Sequence, residues 1–334
     1  MKRIHLLPNL LTLANAFCGL LAVAKAIDAL AYGATDPLVF YQKMETACVL
    51  VFTGMVFDVL DGFAARITRS ESAFGVQLDS FADALTFGVT PAILAKVLLE
   101  HEESVSGSGT NARVHFLAAA AFALMAILRL VRYNLESDGD DAREVPSNAG
   151  ARSTGHDDED GDDSEDDDSE DDDSEDMDFG APVRAKKKKG FRGLPSPAAA
   201  GTVASTIWVF LIFKRPELET SEGIPTPTRR FLQWIDYEPG TLEHLLSWAP
   251  LVALGMLPIL GLLMVSDVRY PHLANLLAPR KRSFPTLVAA VFAALLLYIA
   301  PVPVLFVAFT SFTIAGVVLR VRASFAARGE GSAT

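Results

Sequence analysis

The sequence predicts an all-α integral-membrane protein, a polytopic bundle of about eight transmembrane helices. Three observations carry that expectation. Half of the 334 residues are hydrophobic. Most of the apolar residues fall in runs of about twenty, the length at which a helix crosses a bilayer. The stretches rich in Lys and Arg recur on alternate turns of the chain, the pattern of loops that share one side of a membrane.

The first span is expected over about 9–31, after Met-Lys-Arg. It holds a polar stripe, Asn9, Thr12 and Asn15, at three-residue spacing on an otherwise apolar helix. Two readings of that stripe stand open, interhelical hydrogen bonding and contact with a substrate. A second span covers about 43–64, and a short loop, 66–72, follows. A third covers about 73–99, with a kink expected at Pro91. After the polar loop 101–113, a fourth span covers about 114–131 and closes on Arg129, Arg132, Tyr133 and Asn134. Basic residues there, taken alone, read as interfacial anchors.

Residues 135–190 read as an insert. Between 157 and 178 it carries 17 acidic residues and no basic one; without them, 24 acidic residues face 29 basic ones. The net charge of −12 therefore comes from one segment. Such a run repels itself and buries no core, so disorder and a solvating role are expected. It suits a salt-rich cytoplasm and points to a halophilic source. Order resumes at the sequence Phe-Arg-Gly-Leu-Pro-Ser-Pro, 191–197, which opens a fifth span reaching about 213. A sixth is expected over 245–265, a seventh over 284–300, and an eighth over 304–319 after a turn at Pro301 and Pro303. The expected division is 1–134, the insert, 191–323 and a tail, 324–334.

Eight spans put both termini on one side. Lys2 and Arg3, Arg66 and Arg69, Arg129 and Arg132, Lys186 to Lys189, Arg280 to Arg282, and Arg320 and Arg322 then share that side. The excess of basic residues makes it cytoplasmic. No cleaved signal peptide is expected. Cys18 and Cys48 both fall in spans and read as buried hydrophobes, and the six histidines show no ligand spacing. No nucleic-acid partner is expected.

The chemistry lies in residues 58–83, DVLDGFAARITRSESAFGVQLDSFAD. Asp58 and Asp61 are three apart, and Asp79 and Asp83 are four apart, so each pair shares one helix face. Carboxylates at membrane depth are costly and normally face a cavity, a partner or a metal. A divalent cation relieves their mutual repulsion, and hard oxygen ligands suit Mg²⁺ or Mn²⁺. Solvated helix-end aspartates and an ion or proton relay of a transporter are the competing readings. Gly62, Arg66 and Gly75 favour phosphate binding over a relay. A glycine lets a nucleotide approach the backbone, and an arginine grips a phosphate with paired hydrogen bonds.

This spacing matches the signature of the CDP-alcohol phosphatidyltransferases, and the chain resembles that family throughout. The resemblance implies a six-helix core followed by two C-terminal helices, and two divalent metals held by Asp58, Asp61, Asp79 and Asp83. It makes Asp83 the general base as well as a ligand. It places Gly62, Arg66 and Ser72 against the CDP moiety, with Gly75 in the same signature. The stretches at 8–22, 127–134, 191–200 and 263–272 resemble the phosphatidylserine synthase branch. That branch implies nucleotide contact for Asn9, Thr12 and Asn15. It makes Arg129, Arg132 and Asn134 candidates for the serine carboxylate or the lipid phosphate.

The implied activity is metal-dependent transfer of a phosphatidyl-type group from a CDP-activated lipid to L-serine, releasing CMP. An archaeal source would make the lipid an ether-linked archaeol and the product archaetidylserine. Transfer to glycerol phosphate or inositol phosphate is the alternative within the class. A transporter and a structural membrane protein are the alternatives outside it. The family is commonly dimeric, so a homodimer is expected.

Overall fold

The computed structural model describes residues 6–68, 73–106, 111–142, 191–214, 239–270 and 284–330. The helices among them are α1 (Leu6–Leu30), α2 (Pro37–Thr68), α3 (Ala73–Asp83), α4 (Thr90–Ser106), α5 (Ala112–Ala142), α6 (Ser196–Lys214), α7 (Pro239–Val265), α8 (Phe284–Ile299) and α9 (Pro301–Glu330). A single π turn, Ala84–Val89, joins α3 to α4. The strands β1 (Phe191–Arg192) and β2 (Arg269–Tyr270) pair antiparallel, Phe191 opposite Tyr270.

Seven described segments are long and apolar enough to cross a membrane: Leu7–Leu30, Pro37–Thr68, Phe74–Ser104, Ala112–Leu135, Ser196–Lys214, Ser247–Val265 and Pro301–Arg322. The fold class is therefore all-α, polytopic and membrane-embedded. The expected seventh span is present as α8, an apolar helix of 16 residues. At 1.5 Å per residue it measures about 24 Å, short of a hydrocarbon core of about 30 Å. The most acidic stretch, 157–178, lies outside the described residues.

These helices are apolar almost all round, as expected where lipid is as apolar as a protein core. On α1 the buried positions are Pro8, Thr12, Asn15, Cys18, Gly19, Ala22, Ala26 and Ala29, a stripe at mostly three- and four-residue spacing. Leu7, Leu10, Leu13, Phe17 and Leu20 cover the outer face. α1 makes its most extensive packing with α2, which buries Phe40, Met44, Ala47, Cys48, Val51 and Gly54. Both cysteines are buried and unbonded. α6 is buried along most of its length through Ala198, Ala199, Val203, Ala204, Ile207 and Leu211. It packs on α9, where Thr202 and Thr313 share a 3.1 Å hydrogen bond.

The third span differs from the single kinked helix expected over 73–99. It breaks into α3, the π turn and α4, and the break precedes Pro91. A proline ring collides with the carbonyl four residues back and offers no N–H. One extra residue in the turn before it relieves that collision, and the Thr90 N–H bonds the carbonyl of Leu85, five residues back. The Thr90 hydroxyl bonds the same carbonyl at 2.9 Å and the Gly19 carbonyl of α1 at 3.2 Å.

The described residues up to Asn134 and from Phe191 onward form one compact unit. Beyond Asn134, α5 continues into a second unit, of which residues 135–142 are described.

Candidate active site

The end of α2 and the body of α3 bring three of the four aspartates together. Asp58, Asp61 and Asp79 each offer a carboxylate oxygen, and these oxygens lie within 4.8 Å of one another. Asp61 is 5% exposed, while Asp58 and Asp79 are half-buried. Asp61 Oδ2 and Asp79 Oδ1 are buried without a hydrogen-bond partner. Among the described residues no lysine or arginine forms an ion pair with any of the three. Three carboxylates this close repel strongly in a poorly screened site. The orphaned oxygens and the all-carboxylate donor set fit a divalent cation of the Mg²⁺ or Mn²⁺ kind.

Asp83, the fourth aspartate of the signature, stands outside that triad. It ends α3 immediately before the π turn, and Asn15 Nδ2 donates to its Oδ1 at 3.3 Å. Thr12 lies beside Asp61, whose carboxylate also meets the Gly62 backbone. Thr12 and Asn15 of the α1 stripe therefore face the aspartates, Asn15 fully buried, while Asn9 is half-buried at the outer end of the stripe.

The approach of α1 depends on two glycines. A Cβ on Gly19 would lie 2.6 Å from Thr86 Oγ1, and one on Gly54 would lie 2.8 Å from Thr86 Cγ2 and 3.0 Å from Asn15 Oδ1. The π turn thus drives Thr86 into a notch between α1 and α2, where its hydroxyl donates to the Asn15 carbonyl at 3.1 Å. Small residues allow this contact between helices, and the contact places Asn15 against Asp83.

Gly62 is a different case. A Cβ there would meet only Arg66 Nη2, at 3.9 Å, so protein packing does not demand the glycine. Arg66 is exposed in the last turn of α2. Gly75 is half-buried on α3, and Ser72 lies outside the described residues.

The three acceptor candidates on α5 have different surroundings. Arg129 is 9% exposed; its Nη1 donates to Ser196 Oγ at 3.0 Å, and its Nε is buried with no acceptor. Arg132 forms a 2.9 Å ion pair with Asp267 and donates to the Val265 carbonyl at 3.2 Å. Asn134 donates to Ser80 Oγ at 3.0 Å. Ser196 is set in place by a turn at Gly193, which has φ +80. The Gly193 N–H bonds the Val268 carbonyl at 2.8 Å, and the Leu194 N–H bonds the Leu263 carbonyl at 3.0 Å. A Cβ on Gly193 would collide with the Met264 carbonyl oxygen, so the turn requires glycine.

Thr86 and Ser80 are contacts that sequence reasoning did not single out, and Ser196 fell inside the 191–200 stretch without a role of its own. A hydroxyl inside an apolar run was the signal for Thr86, but such residues commonly bond their own helix. Nothing in the spacing pairs residue 86 with residue 15.

Comparison with known proteins agrees with this geometry. Residues 5–154 match the model of the CDP-alcohol phosphatidyltransferase family. A CDP-diacylglycerol–serine O-phosphatidyltransferase of Bacillus subtilis is 33% identical over 130 residues, 39% of this chain and 62% of the relative. One of the same name from Helicobacter pylori is 30% identical over 138 residues, 41% of this chain and 49% of the relative. An archaetidylserine synthase of Methanothermobacter thermautotrophicus is 32% identical over 136 residues, 40% of this chain and 48% of the relative. The matches thus span about half to three fifths of each of these relatives. The aspartate cluster and the polar face of α1 both fall inside the region that matches this family.

Proposed function

We propose that the protein transfers a phosphatidyl-type group from a CDP-activated lipid to L-serine and releases CMP. The observation that carries this reading is the partly buried Asp58–Asp61–Asp79 triad, with Asp83 at the end of α3 bonded by Asn15 of α1. The names of the relatives support serine as the acceptor, and the archaeal relative supports either diacylglycerol or archaeol as the lipid.

Asp58, Asp61 and Asp79 would hold divalent cations, with Asp83 completing the set. Bound there, the ions would neutralise the diphosphate and the charge that develops on departing CMP. Arg66 grips a phosphate of the nucleotide, and Gly62 leaves room for it, with Gly75 and Ser72 in the same signature. Asn9, Thr12 and Asn15 line the α1 side of the CDP pocket. Asp83 takes the proton of the serine hydroxyl. The serine oxygen then attacks the lipid-side phosphorus, the bond to the bridging oxygen breaks, and CMP leaves with that oxygen.

Two ions, Mg²⁺ or Mn²⁺, match the size of the carboxylate set. The positive-inside pattern supports an active site and termini on the cytoplasmic side of the cell membrane, where nucleotide lipid and soluble acceptor meet. Resemblance to the family supports a homodimer. The acidic insert, 135–190, solvates and takes no part in catalysis.

The test is CMP release by purified protein with CDP-activated lipid, Mg²⁺ or Mn²⁺, and serine, glycerol 3-phosphate or inositol 1-phosphate in turn. Release with serine alone is the expected result. Release with a phosphorylated acceptor would retain the aspartate chemistry and discard serine. No release from folded protein, with uptake of an ion that depends on Asp58 and Asp61, would replace the enzyme with a transporter.

A further inference from the structure

α3 carries two of the four aspartates, Asp79 and Asp83, on a helix of 11 residues. It packs on α1 and the π turn. Among its described side chains only Ala82 is buried, while Phe74 is 66% and Phe81 67% exposed. Most helices are oriented by a broad apolar stripe turned to the core. One buried methyl group fixes the rotation of α3 only weakly.

The chemistry of the aspartates tolerates little rotation. A carboxylate lies about 5 Å from a helix axis, so a turn of about 20° moves it by about 2 Å. Working sites hold their groups within about 0.5 Å. Polar contacts must therefore supply what packing does not.

Among the described residues, two hydrogen bonds join side chains of α3 to other helices. Asn15 of α1 donates to Asp83 at 3.3 Å, and Asn134 of α5 donates to Ser80 Oγ at 3.0 Å. Ser80 follows Asp79 directly and precedes Asp83 by three residues. It lies about 100° round the helix from the first and about 60° from the second, on the flank of the carboxylate face. The Ser80 hydroxyl is itself fixed, because it donates to the Val76 carbonyl at 3.0 Å and so turns its lone pairs outward. Asn134 belongs to a well-anchored helix, which buries Ala118, Ala119, Phe122, Ala126 and Leu130. A deeply packed helix thus grips the side of a loosely packed one.

We infer that Asn134 and Ser80 are positioning residues, whose hydrogen bond sets the rotation of α3 and aims Asp79 and Asp83 at the metal site. The inference rests on the metal-dependent reading above and moves Asn134 from the acceptor to the support of the carboxylates. Contacts that orient a metal's ligands typically carry about 10- to 100-fold in metal affinity or activity.

The test is Mn²⁺ titration of the purified full-length protein in detergent, read by the electron paramagnetic resonance of the free ion, beside steady-state CMP release. The binding that counts is the component lost in Asp61→Asn, which sets aside any ion held by the acidic stretch 157–178. In Ser80→Ala and in Asn134→Ala, Mn²⁺ affinity is expected to weaken about 10-fold or more and kcat to fall, with the KM for serine within about twofold of wild type. Ser80→Thr keeps the hydroxyl, and its Mn²⁺ affinity is expected to stay within about twofold. Combining Ser80→Ala with Asn134→Ala should weaken binding no further than either change alone, since each removes the same bond. Losses that add in the double variant overturn the inference. A raised KM for serine in Asn134→Ala, with Mn²⁺ affinity intact, returns Asn134 to the acceptor and also overturns it. A wild type that binds Mn²⁺ through Asp61, with affinity unchanged in both alanine variants, sinks the inference alone. A wild type with no Asp61-dependent binding sinks the metal reading and the inference together.

Discussion

Asn15 of α1 donates its side-chain amide to the carboxylate of Asp83 at the end of α3, at 3.3 Å and across 68 residues of sequence. The contact joins the polar stripe of the first span to the proposed general base. Asn15 is held in turn by Thr86, whose hydroxyl bonds its carbonyl. Replacing Asn15 with Ala is expected to lower kcat by roughly 10- to 100-fold, the cost of a buried hydrogen bond to a charged group. Steady-state rates with saturating lipid and serine check this, and a kcat within a factor of about two of wild type would remove Asn15 from the site.

Asp61→Asn should separate metal binding from folding. In the wild type, adding Mg²⁺ or Mn²⁺ is expected to raise the unfolding temperature in detergent, because a ligand that binds only the folded state stabilises it. The variant removes one of three crowded carboxylates, so without cation it should unfold no earlier than wild type. It should also lose the cation-dependent rise. A rise of equal size in the variant would place the ion elsewhere.

The notch at Thr86 is sensitive to a single methyl group. Gly19→Ala or Gly54→Ala forces a Cβ against Thr86, at 2.6 and 2.8 Å, and is expected to cost about 1–3 kcal/mol. Gly255→Ala on α7 has nothing within 4 Å to meet, and should stay within about 0.5 kcal/mol. Thermal unfolding of the three variants side by side makes the comparison.

Gly62→Ala is expected to behave in the opposite way. Its Cβ finds only the far end of Arg66, so stability should hold. A nucleotide lying over that backbone would be displaced, with the KM for the CDP-lipid rising about tenfold or more for a loss of about 1.4 kcal/mol in binding. Unchanged lipid kinetics in a stable variant would place the nucleotide elsewhere.

Arg132 should prove a tie between α5 and the end of α7. Its ion pair with Asp267 is partly exposed, the two side chains being 38% and 68% accessible. Exposed pairs of this kind contribute about 0.2–1 kcal/mol. A double-mutant cycle of Arg132→Gln with Asp267→Asn is expected to give a coupling in that range, with the KM for serine unchanged. A serine KM raised about tenfold or more, a loss of about 1.4 kcal/mol in binding, would return Arg132 to the acceptor site.

The two arginines show where sequence reasoning stops. Arg129 and Arg132 sit three residues apart on one helix, and the same stretch nominated both as anion ligands. Burial against Ser196 isolates one, while the turn after α7 brings Asp267 to the other. Ser196 is 67 residues from Arg129 and Asp267 is 135 from Arg132, so no local pattern encodes either pairing.

Local patterns did carry the membrane spans and the aspartates. Backbone polar groups in lipid must be satisfied within the segment, so apolar runs of sufficient length become helices whatever their neighbours. Charged exceptions stand out against such runs, which made Asp58, Asp61, Asp79 and Asp83 visible by position alone. The helix period also put Asn9, Thr12 and Asn15 on one face. Tertiary structure alone decided what that face meets. The period sets which residues share a side, but the choice of neighbour depends on shape. Here the glycines at 19 and 54 and the π turn before Pro91 allowed Thr86 to wedge between α1 and α2. That wedge, made from residues unremarkable in sequence, sets Asn15 against Asp83.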